Sequence, residues 1–189
     1  MENLIHLPSL YGDLEISCIS SENQDAVIIK KSFDKDACFI RIHSSCLFSE
    51  ALHTNDCDCA LQLNAALHYI SRNGGVVVYL YQEGRGIGIK SKIDAILLQQ
   101  REGIDTATAF RKLGYEIDPR DYTAAINALK SLNIRKAVVA TNNPLKLSAI
   151  NSAGIEISKR ITLQVEKNPT QVEYLKEKTK ALGHHEDSE

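Results

Sequence analysis

Residues 59–81 read CALQLNAALHYISRNGGVVVYLY, and the change of period inside this stretch decides the fold class. Cys59, Leu63, Ala66, Leu67 and Ile70 recur every three or four positions, so they share one face of a helix. Asn73-Gly74-Gly75 then stops the run. GVVVYLY is continuously apolar and rich in β-branched residues, the pattern of a strand covered on both faces. A helix running straight into a buried strand is a repeating step of α/β layering.

The same alternation continues toward the C-terminus. KIDAILLQQREG (92–103) and TAFRKLG (108–114) read as helices, each ended by glycine. Tyr122, Ala125, Ile126, Leu129 and Leu132 form the apolar stripe of another helix, capped by Asp121. KAVVAT (136–141) is a second buried strand, and Asn142-Asn143-Pro144 opens a helix that Gly154 ends. IEISKRITL predicts a strand pair or one bent strand, and Val172, Leu175, Thr179 and Leu182 a last helix stopped by Gly183. Toward the N-terminus, LEISCIS, DAVIIKK and ACFIRIH are short strands broken by polar turns, so residues 1–45 form a β-rich part. The expectation is a layered α/β/α fold with a mixed sheet, its N-terminal strands joined as hairpins, in one domain spanning 1–189.

Composition excludes several classes. A net charge of −2 argues against a general nucleic-acid binder, which carries a basic excess, but leaves room for a small anion held by a local cluster. No stretch is apolar for long enough to span a bilayer, and MENLIHLPSLYGDLE lacks the basic-then-apolar layout of a signal. The cytosol is the expected location. Five cysteines, an odd number, do not form a disulfide framework in a chain that can bury its own core. Cys18 and Cys38 stand alone beside apolar neighbours and read as small packing residues.

Cys46, Cys57 and Cys59 are different, because they cluster within fourteen residues. Three thiolates with no fourth sulfur nearby match an open zinc site, which keeps one coordination position for water. Cys57 and Cys59 fall at a helix N-terminus, where the dipole favours thiolate. Spacing alone leaves two other readings open: a structural site completed by His43 or His53, and reactive thiols without metal.

Gln82-Glu83-Gly84-Arg85-Gly86-Ile87-Gly88 follows a strand. Glycines there let backbone approach a ligand, and Arg85 offers a planar fork for phosphate; an ordinary β–α turn has the same composition. Asp118-Pro119-Arg120-Asp121 precedes a helix N-terminus, a favourable anion site or equally a capped helix with a surface ion pair. Thr141-Asn142-Asn143-Pro144-Leu145-Lys146 repeats that layout with a lysine.

Taken in order, these motifs resemble GTP cyclohydrolase II, the first enzyme of riboflavin synthesis. The likeness runs from about residue 39 to Gly183 through RIHSSCL, CDCALQL, QEGRGIG, the Asp118/Arg120 segment, TNNP with its lysine, and YLKEKTKALGH. It implies hydrolysis of GTP at C8 of the guanine ring, releasing formate and pyrophosphate and leaving 2,5-diamino-6-ribosylamino-4-pyrimidinone 5′-phosphate. It also implies one zinc per subunit on Cys46, Cys57 and Cys59, magnesium with the nucleotide, and a homodimer. Arg41, Ile42, His43, Ser44, Ser45, Gln62, Glu83, Gly84, Arg85, Thr106, Thr141 and Lys146 fall where the family contacts the nucleotide. Arg120 matches the family's proposed nucleophile on the α-phosphate and Asp118 its base, although a guanidinium with pKa above ~12 is better suited to clamping phosphate. The chain is too short to hold also the dihydroxybutanone-phosphate synthase fused to some relatives.

Four positions depart from the family pattern: Ser45 replaces a glutamate, Asp56 an arginine, Tyr81 an arginine and Ile96 a tyrosine. They leave the cysteines untouched and alter the surroundings of the base. A paralogue that stops at the ring-opened formamide, or takes another purine nucleotide, is therefore the alternative. A silent nucleotide-binding protein with structural zinc is a third reading.

Overall fold

The computed structural model describes residues 3–21 and 24–185; residues 1–2, 22–23 and 186–189, which fall within the expected 1–189 domain and β-rich part, lie outside the described residues. Seven strands form one sheet: β1 (Ile5–Leu7), β2 (Leu14–Ser20), β3 (Asp25–Lys31), β4 (Cys38–Ser44), β5 (Gly75–Leu80), β6 (Lys136–Ala140) and β7 (Glu156–Ile161). Their order is β1-β2-β3-β5-β4-β6-β7. The sheet is mixed as expected: β1, β2, β3 and β5 pair antiparallel, whereas β4 pairs parallel with both β5 and β6, and β6 with β7.

The ACFIRIH strand is not the third member of an N-terminal meander. It is β4, inserted between β5 and β6 in the parallel half. Burial explains the placement, because Cys38, Phe39, Ile40 and Ile42 are nearly all inaccessible, and a strand that apolar on both faces belongs inside a sheet. IEISKRITL resolves to one strand with a register shift opposite Ala137/Val138, the bent alternative. β1, a three-residue edge strand, has too short a pattern to be read from sequence.

Helices cover both faces. α2 (Cys59–Asn73) packs Ala66, Leu67 and Ile70 against Phe39, Val77 and Ala140 on one side. On the other, α5 (Thr123–Ser131) and α6 (Pro144–Ser152) bury Ala125, Ala128, Leu129 and Ile150 against Ile28, Ile40, Ile42 and Val78. Each fully buried leucine or isoleucine there contributes on the order of 2 kcal/mol. α2 ends because Gly74, at φ +77°, turns back under Ser32; a Cβ on Gly74 would sit 1.9 Å from the Ser32 carbonyl oxygen. α3 (Gly88–Glu102) begins four residues earlier than its apolar pattern predicts, and with α4 (Thr106–Lys112) it forms a small separate cluster around Ala95, Ala109 and Phe110. Asp121 does act at the start of α5, accepting from the Thr123 N–H at 2.8 Å. α7 (Pro169–Leu182) opens with a reciprocal cap between Asn168 and Gln171 and ends at left-handed Gly183.

The parallel half places the chemistry. Cys46 follows the carboxyl end of β4, the Gln82–Gly88 turn follows β5, and Thr141–Lys146 follows β6. These three ends lie side by side, the usual position for a ligand crevice in a parallel sheet. Among the described residues no helix is long and apolar enough to cross a membrane.

Candidate active site

A cavity of about 770 Å³ opens over those strand ends. Its size suits a nucleotide-sized ligand. At its base the sulfurs of Cys46, Cys57 and Cys59 lie within 4.8 Å of one another, with Cys46 Sγ 3.6 Å from Cys57 Sγ. Cys46 precedes the short helix α1 (Leu47–Glu50), and Cys59 is the first residue of α2. The Cys57 and Cys59 thiols hydrogen-bond the Cys46 sulfur and favour its thiolate, while sharing protons in this way pushes the other two thiols up. Three thiolates this close repel one another unless a cation lies between them. The donor set therefore fits a soft divalent ion with three protein ligands. Neither candidate fourth ligand joins this group of metal-binding side chains: His43 bonds Glu50 instead, and His53 does not line the cavity.

Glu50 organises the approach to Cys46. Its Oε1 accepts from the Cys46 N–H and from His43 Nε2, both at 2.9 Å, and its Oε2 accepts from the Tyr79 hydroxyl at 2.7 Å. Burial holds His43 neutral, with its pKa lowered to about 4, so this contact is a hydrogen bond from an uncharged ring rather than an ion pair. The same tautomer leaves Nδ1 as a buried acceptor with no partner among the described residues. On the other side of the cluster, Lys92 Nζ donates to Cys46 Sγ at 3.3 Å and to Glu83 Oε1 at 2.7 Å. Glu83 also accepts from the Leu47 N–H at 2.6 Å, so both its oxygens are engaged.

The Gln82–Gly88 turn is tight because Gly84 and Arg85 both adopt left-handed backbone, at φ +60° and +59°. A Cβ on Gly84 would meet Lys92 Cβ at 2.9 Å. Left-handed geometry in a non-glycine residue is uncommon and is retained where the surroundings impose it. Arg85 is thereby held over the Phe110 ring, 5.2 Å from its centre, donating to the Ile117 carbonyl at 3.1 Å.

Asp118 and Arg120 form a two-pronged ion pair, through Nε to Oδ1 at 2.6 Å and through Nη2 to Oδ2. Both side chains are about nine-tenths buried or more. Burial opposes the charge on Asp118, but the hydrogen bonds and charge of Arg120 outweigh it and hold the carboxyl below its usual range. The pairing likewise raises Arg120 despite its burial, so the guanidinium is fixed in its charged form. Lys146 is buried, donates to the Ile42 carbonyl at 2.9 Å, and is pushed well down by burial and by Arg120 and Arg41. Arg41 donates to the Ala140 carbonyl at 3.3 Å, and its Nε has no partner among the described residues.

Of the residues singled out from sequence, the cavity gathers the three cysteines, Arg41, His43, Ser44, Ser45, Gln62, Glu83, Gly84, Arg85, Thr106, Arg120, Thr141 and Lys146. Ile42 and Asp118 do not line it. Ile42 turns its side chain into the α5–α6 core and reaches the site through its carbonyl, and Asp118 acts from behind Arg120. Of the four divergent positions, Ser45, Asp56 and Ile96 line the cavity, whereas Tyr81 is largely exposed away from it. Glu50, Tyr79, Lys92, Lys178 and His184 were not singled out as site residues from the sequence, although Lys178 and His184 lie within YLKEKTKALGH. Glu50 had one local signal, an acid four residues after Cys46; the others reach the site only through tertiary packing.

Residues 3–162 match the family model described as GTP cyclohydrolase II. A GTP cyclohydrolase-2 from Psychromonas ingrahamii is 43% identical over 169 residues, covering 87% of this chain and 82% of that protein. Another from Campylobacter fetus is 38% identical over 185 residues, covering 96% and 93%. Riboflavin biosynthesis protein RibBA from Aquifex aeolicus is 39% identical over 185 residues, covering 95% of this chain but 45% of that longer protein. On these matches and the α/β fold that carries them, the chain belongs to the GTP cyclohydrolase II family of hydrolases.

Proposed function

We propose that the protein hydrolyses the guanine imidazole ring of GTP at C8, in a zinc-dependent reaction that releases formate and pyrophosphate and leaves 2,5-diamino-6-ribosylamino-4-pyrimidinone 5′-phosphate. The observation that carries this reading is the placement of three converging thiols at the base of a cavity whose walls carry Arg41, Arg85, Arg120 and Lys146. Cys46, Cys57 and Cys59 would hold the zinc, which supplies Lewis acidity beside the purine. Lys92, hydrogen-bonded to Cys46, offsets part of the thiolate charge. Arg41, His43, Ser44, Ser45, Gln62, Glu83, Gly84, Arg85, Thr106, Thr141 and Lys146 contact the nucleotide, with Ile42 contributing its carbonyl through Lys146.

Arg120 acts as the phosphate clamp. A guanidinium that Asp118 keeps charged has no lone pair for attack, whereas a fixed charge facing a phosphate stabilises negative charge without reorganising. Magnesium accompanies the nucleotide, and a single-domain, homodimeric cytosolic enzyme completes the proposal by likeness to the family.

Incubation of the purified protein with GTP and magnesium tests this directly. Formate and pyrophosphate together support it. A bound nucleotide with no spectral change would refute it in favour of a silent binder.

One observation favours a second reading, in which the reaction stops at the ring-opened formamide: Ile96 lines the cavity where the family pattern has tyrosine, and an alkyl side chain neither donates a proton nor holds a water. The variant Ile96→Tyr is expected to move product toward complete deformylation, and an unchanged product ratio removes this reading.

A further inference from the structure

α7 lines the cavity and is fastened at its start to the loop that carries Cys57. Gln171 Nε2 donates to the Cys57 carbonyl at 3.0 Å, and Asn168 Nδ2 to the Asn55 carbonyl at 3.2 Å. Thr106 donates to Glu177 at 3.2 Å midway along the helix, and the His185 N–H donates to the Asn142 carbonyl at 2.9 Å beyond its end. Four anchors along one helix and its tail fix which side chains face inward.

Two of these are Lys178 and His184. Lys178 Nζ sits over the Tyr174 ring, 4.1 Å from its centre, and makes no ion pair with a carboxylate among the described residues. His184 Nε2 is buried and has no hydrogen-bond partner among them. His184 lies in the electrostatic reach of Lys178, Arg120 and Lys146, and Lys178 in that of Lys146. In this corner Asp118 is committed to Arg120, while Lys178 has Asp58 and the cysteine sulfurs in electrostatic reach but no carboxylate at ion-pair distance among the described residues. Three basic side chains, Arg120, Lys146 and Lys178, lining one cavity with a buried polar atom that has no partner among the described residues suit a multiply charged oxyanion.

We propose that Lys178 and His184 complete, with Arg120 and Lys146, a seat for the phosphate groups of the substrate, so that α7 is a binding element of the site. The seat rests on the nucleotide reading of the cavity but not on guanine as the base. Lys178 also lies within reach of Asp58, Cys57 and Cys59, which places it between the thiol cluster and the phosphate corner. It therefore links the two halves of the site.

The test is calorimetric titration of the zinc-loaded, full-length protein with inorganic pyrophosphate and, separately, with GTP, alongside measurement of bound zinc and melting temperature. Lys178→Gln is expected to weaken pyrophosphate binding roughly 10- to 100-fold, the range for a hydrogen bond to a charged group. Lys178→Arg restores most of it, and His184→Ala weakens it roughly fivefold. Zinc content and melting temperature stay as in the parent. Unchanged pyrophosphate affinity in Lys178→Gln overturns the proposal. So does a loss that tracks lost zinc, since Lys178 would then serve the thiolates. Pyrophosphate binding without GTP binding would leave the seat standing and refute guanine as the base.

Discussion

Replacing Glu50 tests how the first cysteine is positioned. Its carboxylate accepts three hydrogen bonds: from His43, from the Cys46 main chain and from Tyr79. Its side chain is 14% exposed, so little water competes. Hydrogen bonds to a charged group contribute about 1.5 kcal/mol each at the low end, so Glu50→Ala should cost about 4 kcal/mol of folding stability. Part of that cost is the desolvation of donors left facing a void. Glu50→Gln keeps one acceptor oxygen for His43 and Cys46, and the Tyr79 hydroxyl can rotate to accept from the new amide, so its cost should be about 1–2 kcal/mol. Tyr79→Phe removes one such bond and should cost about 1.5 kcal/mol. Urea unfolding of the three variants measures the series, and the Glu50/Tyr79 double-mutant cycle isolates their coupling. If Glu50→Ala costs no more than Tyr79→Phe, Glu50 is not a hub, and the position of Cys46 is set by something else.

His43 gives an acid limb: its folded pKa of about 4 lies below the unfolded value of about 6.5, so the unfolded chain binds more protons in between, and stability drops as pH falls through that window by about 3 kcal/mol. A His43→Asn variant whose urea midpoint falls as steeply from pH 7 to 4.5 would remove the histidine as the cause. Asp118→Asn leaves Arg120 buried with half its partner and should cost about 3 kcal/mol by thermal or urea unfolding; a change under about 0.5 kcal/mol would mean the pair is not stabilising the buried charge. Because burial and neighbouring arginines depress Lys146, while a phosphate favours its charged form, pyrophosphate binding to the parent should take up more protons than binding to Lys146→Gln under the same conditions. Calorimetry in buffers of different ionisation enthalpy reads the difference, and equal proton balances in the two proteins would refute it.

The features legible in the sequence were those carried by near neighbours. The period change at residues 59–81, the stop at Gly74, the helix start at Pro144 and the three clustered cysteines each depend on residues near one another in the chain. What stayed hidden depends on contacts across the fold. β4 looks like any apolar strand, and only its covering on both edges reveals it as the axis of the parallel half. The start of α3 was hidden because Gly88, Ile89, Lys90 and Ser91 lack a continuous apolar stripe, yet they extend the helix from the Gly84–Arg85 turn. Lys178 reads as one charge among several in YLKEKTKALGH, and only the anchoring of α7 turns it inward.

β4 has a consequence for quality control during folding. Along it Ile40 and Ile42 face the α5–α6 core while Arg41 and His43 face the site. A slip of one residue would exchange the two sets, driving a guanidinium and an imidazole into the apolar layer and stranding two isoleucines in a polar cavity. A chain in that register could not close its core, so correct assembly of the site is checked by the same event that completes the fold.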